Sequence, residues 1–109
     1  MTPYRIVVTP DAQADLAELR DYIANTLSAP GTSLAYVRAV RQEIASLAGM
    51  PARCKLMDDE PWHSYGFRRL LVKNFYVYYR IDEAATTVYI LNVICARRDQ
   101  LNALTDKNL

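Results

Sequence analysis

Tyr4-Arg5-Ile6-Val7-Val8 begins with alternating apolar and polar positions and is rich in β-branched residues, which predicts a short strand. Thr9-Pro10-Asp11 follows as a helix start. Thr9 can cap, Pro10 fits the first helical position where its missing N–H costs nothing, and Asp11 suits the positive end of the helix dipole. Ala12, Leu16, Leu19, Ile23 and Leu27 recur at spacings of four and three, which marks one helical face. Asp15, Glu18, Arg20 and Asp21 fall elsewhere and are expected in solvent. Ala29-Pro30-Gly31 breaks the helix, and a second helical pattern runs through Leu34, Val37, Val40, Ile44 and Leu47 until Gly49-Met50-Pro51. Two amphipathic helices joined by a short turn predict an antiparallel hairpin. Residues 51–64 show no periodicity and read as a loop, long enough to be a candidate for function or mobility.

The remainder is β-rich. Gly66 to Val72, Phe75 to Ile81 and Thr87 to Ile94 predict three strands, with turns at Lys73-Asn74 and at Asp82-Glu83-Ala84-Ala85. The last strand is apolar on both faces apart from Asn92, as a central strand covered on both sides would be. Arg97 onward predicts a short terminal helix holding Leu101 and Leu104. The order β-α-α-β-β-β makes an α+β domain over residues 1–109, its helical hairpin packed on a small, mostly antiparallel sheet.

Strand alternation puts Phe75, Val77, Tyr79 and Ile81 on one face of their strand, with the composition of a core. Tyr76, Tyr78 and Arg80 fall on the other face, which is amphipathic and suits a ligand or a partner. Arg68 and Arg69 on the neighbouring strand, and Arg97 and Arg98 after the last, add cations nearby.

Composition narrows the classes. The chain has 109 residues, 51% of them hydrophobic, and a net charge of +1, which suits one folded domain and excludes a disordered chain. No apolar run approaches a membrane span, and the N-terminus lacks the pattern of a secretory signal, so a cytoplasmic protein is expected. Cys54 and Cys95 match no metal-ligand spacing, and His63 is the single histidine, so neither a metal nor a cofactor is expected. The charge is unevenly spread: residues 1–60 are net acidic by two and residues 61–109 net basic by three. A near-neutral total therefore leaves room for a basic face that meets a polyanion or an acidic protein.

The phrases Phe67-Arg68-Arg69-Leu70-Leu71-Val72-Lys73-Asn74-Phe75-Tyr76-Val77-Tyr78-Tyr79-Arg80-Ile81-Asp82 and Val93-Ile94-Cys95-Ala96-Arg97-Arg98-Asp99 resemble toxins of the RelE/ParE superfamily. So do the Val8-Thr9-Pro10-Asp11-Ala12 start and the Asp21-Tyr22-Ile23 segment, and the resemblance runs from about Tyr4 to Leu104. It implies a toxin of a type II toxin–antitoxin system, held inactive by a cognate antitoxin. Operator DNA would be reached only through that antitoxin. RelE-like members cleave mRNA in the ribosome without metal, whereas ParE-like members poison DNA gyrase.

Within that resemblance, Arg69 falls where RelE-like enzymes place a catalytic Lys. Their third-strand Arg falls at Tyr76, and the Arg after the last strand falls at Ala96, with Arg97 one place along. Their terminal Tyr has no counterpart, because Leu101 and Asn102 occupy that region. The Arg98-Asp99 pair, the helical hairpin and the Leu101/Leu104 tail look more like the ParE branch, so gyrase inhibition is the leading expectation. The alternatives are a metal-independent mRNA endonuclease and a non-toxic domain that only binds the antitoxin as co-repressor.

Metal-free RNA cleavage needs a proton acceptor for the 2′-OH, cations for the crowded phosphate and a proton donor for the leaving oxygen. Arg69, Arg97 and Arg98 would supply cations, and His63 or Tyr76 would assist. His63 is the one side chain whose ordinary pKa lies near neutrality. Arg68, Tyr78, Arg80, Asp99, Leu101 and Leu104 would meet the antitoxin or the target. Each also suits a plain structural role: cross-strand packing for Tyr76 and Tyr78, loop packing on Trp62 for His63, and a helix-capping ion pair for Arg97-Arg98-Asp99.

Overall fold

The computed structural model describes residues 3–26 and 30–95. Strand β1 (Arg5–Val8) leads into helix α1 (Pro10–Asp21), whose N-terminus is capped as the sequence predicts: the Thr9 hydroxyl oxygen accepts from the Ala12 amide at 3.3 Å. The helix does not run on regularly through the predicted periodic face. It widens into a π-helical turn over Tyr22–Thr26, which keeps Ile23 buried while Tyr22 stays exposed. Helix α2 (Pro30–Ser46) begins at the very proline that breaks the first pattern. A 3₁₀ turn (Pro51–Arg53) opens the long connection, and β2 (Arg68–Val72), β3 (Phe75–Asp82) and β4 (Thr87–Cys95) complete the chain order.

The sheet order is β1-β4-β3-β2. β1 runs parallel to β4, and the other two pairs are antiparallel. The two-residue turn Lys73-Asn74 joins β2 to β3, with Lys73 in the left-handed region at φ 56°. The β3–β4 turn extends one residue beyond the predicted Ala85, to Thr86 at φ 49°, and the Asp82 carboxylate accepts the Ala85 amide at 3.1 Å. The predicted strand from Gly66 starts only at Arg68, because Gly66 and Phe67 are held by loop hydrogen bonds to His63 and Trp62.

Both helices lie on one face of the sheet, here called the inner face. Its core joins Ala12, Leu16 and Leu19 of α1 and Ile23 of the turn with Val40 and Ile44 of α2 and Leu47 just beyond it; the sheet contributes Leu70, Val72, Val77, Tyr79, Val88, Ile90 and Val93. The predicted core face of β3 is therefore confirmed. Tyr79 is wholly buried, and its hydroxyl donates to the Pro51 carbonyl at 2.7 Å, which ties the start of the long connection to the sheet.

Among the described residues no helix is long and apolar enough to cross a membrane. Asp15 departs from expectation. It is 4% exposed rather than solvated, and its carboxylate accepts from the Asn92 side chain at 3.2 Å and from the Val93 amide at 2.9 Å. A carboxylate sits inside a core only when such donors meet it.

Candidate functional site

The outer face of the sheet carries four of the six candidate residues that fall within the described residues. The period of two places Tyr76, Tyr78 and Arg80 there, and places Arg69 and Leu71 there from β2. Arg69 pairs in register with Tyr78 and Leu71 with Tyr76. The exposed Arg69 guanidinium stands 4.3 Å from the centre of the Tyr76 ring, and Tyr76 in turn meets Tyr78 at 6.2 Å with the rings tilted by 55°. A second stack lies further along, with Arg80 4.6 Å from the Tyr89 ring across the β3–β4 pair. Such cation–ring contacts hold a guanidinium in place without neutralising it.

The long connection does not stay free in solvent, as the lack of periodicity suggested. It passes from the inner face, where Pro51 is buried and Cys54 packs on the core, around the β2 edge to the outer face. There Met57 and Trp62 form a second, small core with Tyr78 and Ile94, flanked by Phe67 and Tyr76. A frame of short-range bonds fixes this loop: Met57 to Phe67, His63 to Asp59, Tyr65 to Pro61 and Phe67 to Trp62 through the backbone, and both Ser64 donors to the Glu60 carboxylate at 2.9 and 2.8 Å. These two bonds, the hydroxyl one foremost, hold the Glu60 pKa below the usual glutamate value.

The predicted residues separate accordingly. Tyr78, expected on an accessible face, is wholly buried under the loop, because Trp62 and Met57 supply apolar cover that the sequence pattern of residues 51–64 conceals. Its hydroxyl makes no hydrogen bond among the described residues. Burial raises its pKa, against the opposing pull of the nearby Arg69 guanidinium. Arg68 leaves the outer face: it shares the inward parity of Leu70 and Val72 and donates to the Cys54 carbonyl, so it clamps the connection. His63 is exposed, and its Nδ1 lies 2.8 Å from the Met57 carbonyl. A carbonyl only accepts, so Nδ1 carries a proton and the neutral ring has Nε2 as its sole acceptor. Arg97, Arg98, Asp99, Leu101 and Leu104 lie outside the described residues.

Arg69 also lines a small pocket of about 170 Å³ with Lys55, Leu56, Met57, Asp58 and Asp59. Lys55 is paired with Asp58 at 3.1 Å, and His63 is not part of this lining. The pocket thus sets two carboxylates beside the Arg69 guanidinium and the Lys55 ammonium, so its charges balance and it offers a phosphate no net positive site. Among the described residues no group of three or more His, Cys, Asp or Glu is placed to hold a metal ion. A larger open trough of about 420 Å³ runs along α2, floored by Leu34, Val37 and Ala45 and edged by Arg38, Arg41 and Gln42. Apolar floor and basic edges suit an acidic amphipathic segment.

Asp15 is the residue that the sequence reading missed. A signal for it exists: Asn92 is the one polar residue expected inside a strand covered on both faces, and a buried amide requires a polar partner.

The family model described as ParE toxin of type II toxin-antitoxin system, parDE, matches residues 6–100. Among solved structures, the chain is similar to one from the chromosomal ParDE TA system of P. aeruginosa, with a TM-score of 0.69, 21% identity, and coverage of 84% of this chain and 95% of that one. It is also similar to a chain of the toxin-antitoxin complex RelBE2 from Mycobacterium tuberculosis, with a TM-score of 0.65, 28% identity, and coverage of 87% and 93%. A search of curated proteins gives no match.

Proposed function

Because the chain belongs to the ParE toxin family of type II toxin–antitoxin systems, we propose that it arrests growth by disabling DNA gyrase and that a cognate antitoxin neutralises it in the cytoplasm. The observation that carries the gyrase reading over mRNA cleavage is the closed outer face. The loop with Met57 and Trp62 covers Tyr78, and the pocket beside Arg69 contains Asp58 and Asp59 but no histidine. An arginine stays protonated at neutral pH and makes a poor general base, so Arg69 alone cannot take the 2′-OH proton. Tyr76 stands where the resemblance would require an arginine, which supports the same choice.

The antitoxin, on this reading, brings an acidic amphipathic segment to the basic half of the chain and to the α2 trough, whose edges are Arg38 and Arg41. Any contact with operator DNA belongs to the antitoxin. Exchanging Arg69→Glu together with Arg98→Glu is expected to weaken antitoxin binding and flatten its salt dependence.

The deciding experiment is induced expression followed by two assays on the arrested cells. Loss of gyrase supercoiling with intact mRNA is the expected result. Codon-periodic cuts mapped by primer extension would instead establish the second reading, a ribosome-dependent endonuclease, which the exposed Arg69 on its Tyr76 platform favours. Unimpaired growth would reduce the chain to an antitoxin-binding co-repressor.

A further inference from the structure

We propose that the free edge of β1 pairs with the β1 of a second copy of this chain, in an antiparallel register centred on Val7. The sheet order leaves β1 a neighbour on one side only, β4. In that parallel pair alternate residues turn toward β4: the Arg5 amide donates to the Thr86 carbonyl at 2.9 Å, and the Thr9 amide to the Ile90 carbonyl at 3.1 Å. The same alternation turns the amides and carbonyls of Ile6 and Val8 the other way, where no hydrogen bond meets them among the described residues. The edge is bounded at both ends. The next outward amide, that of Tyr4, donates to the Ala48 carbonyl at 2.9 Å, and Pro10, which has no N–H, begins α1.

An unpaired strand edge is a template for another strand, and a second copy fits these bounds. In an antiparallel ladder, alternate residue pairs exchange both of their backbone bonds. Setting Ile6 against the partner's Val8, and Val8 against the partner's Ile6, engages every free donor of the edge and places the two Val7 residues on the two-fold axis. Centring the axis on Ile6 would instead set Val8 against Tyr4, where Ala48 already lies; centring it on Val8 would set Ile6 against Pro10, which has left the strand. In the Val7 register Ala48 of each copy falls opposite Pro10 of the other, where the chain has turned into α1.

Charge selects the same arrangement. Arg5 at the start of β1 and Asp11 in the first turn of α1 are both exposed, and neither takes part in an ion pair among the described residues. Antiparallel pairing about Val7 sets Arg5 opposite the partner's Thr9, two positions from the partner's Asp11, and the two-fold axis repeats this at the other end. A parallel pair would bring Arg5 to Arg5 and repel. Ile6 and Val8, which are half-buried at the margin of the inner core, gain cover from their counterparts, and the two sheets become one with all helices on the same face. This pairing is independent of the growth target proposed above.

The test uses the purified full-length chain, by sedimentation equilibrium over a wide range of concentration and by amide hydrogen exchange at both ends of that range. A dimer is expected as concentration rises, with exchange of the Ile6 and Val8 amides slowing as it forms, while the Arg5 and Thr9 amides are protected throughout by β4. Arg5→Glu and Asp11→Arg are each expected to weaken association about tenfold. The two together are expected to restore it, a rescue that mere damage to the fold cannot give; melting temperatures recorded for each variant separate the two effects.

A chain that stays monomeric at every concentration would overturn the proposal. So would a dimer in which the Ile6 and Val8 amides exchange as fast as in the monomer, or a double variant no better than the single ones. Protection of these two amides that appears only when the antitoxin is added would assign the edge to the antitoxin and overturn it as well.

Discussion

On its inner face the sheet meets α1, the turn beyond it, α2 and the residue after α2, which together bring seven buried apolar side chains among the described residues, from Ala12 to Leu47. On its outer face, among the described residues, it meets one loop that contributes Met57 and Trp62. The contrast extends to the two neighbouring tyrosines of β3. Tyr79, pointing inward, gives its hydroxyl proton to Pro51, while Tyr78, pointing outward, is as deeply buried and has no hydrogen bond among the described residues. The inner layer is a core in the usual sense, large and with its polar atoms satisfied. The outer layer is a tethered cover whose position depends on bonds within the loop rather than on the area it buries. A face covered in this way can keep its arginines exposed at the margin, as Arg69 is, while its centre is closed.

The comparison can be broken most directly by removing apolar volume from each side. Ile90→Ala on the inner face is expected to cost about 3 kcal/mol in global stability, measured by urea unfolding. Trp62→Ala is expected to cost less, about 2 kcal/mol, because the loop can open while the sheet persists. Trp62 is the single tryptophan, so its fluorescence should change at lower urea than the far-ultraviolet circular dichroism of the native chain. Coincident curves would mean that the cover and the inner core form one cooperative unit.

The tyrosine pair sharpens the same contrast. Tyr79→Phe leaves the Pro51 carbonyl without its donor and is expected to destabilise by about 1 kcal/mol. Tyr78→Phe removes an unsatisfied hydroxyl and is expected to be neutral or stabilising by up to about 1 kcal/mol. Burial raises both pKa values, for Tyr79 with Cys54 adding to the effect. Both phenols should therefore titrate above the ordinary tyrosine value, and their stabilising contribution should fall as pH rises above that value.

The smallest effect is expected at the tether. The Glu60 pKa is lowered by its Ser64 bonds, so the 60–64 turn is supported above the ordinary glutamate pKa and loses that support as pH falls through the depressed value. A carboxyl titration by NMR, with exchange of the Ser64 amide followed in parallel, reads this directly.

The inner layer was legible in the sequence because period and composition agree there. Ala12, Leu16, Leu19 and Ile23 on the α1 face and Val77 and Tyr79 on β3 are buried as their period names them, with Phe75 and Ile81 half-buried beside them, while Leu27 lies outside the described residues. The start of α1 was legible for the same reason, since Thr9, Pro10 and Asp11 act within a single turn. The outer layer was not, because Met57 and Trp62 are isolated apolar positions among charged ones, and their shared destination depends on a path around the β2 edge. Arg68 and Arg69 illustrate how little adjacency says: one residue of difference sends the first to Cys54 and the second over Tyr76. Asp15 was hidden because its partners lie 77 and 78 positions away.

The parallel pairing of β1 with β4, together with the Thr9 bond to Ile90 across 81 positions, has a consequence for synthesis. The first strand to leave the ribosome has no neighbour until the last has followed it, so a nascent chain halted before β4 holds helices and a hairpin but no closed sheet. Closure of the sheet is thereby deferred until β4 has been made, and so is any activity that depends on the closed sheet.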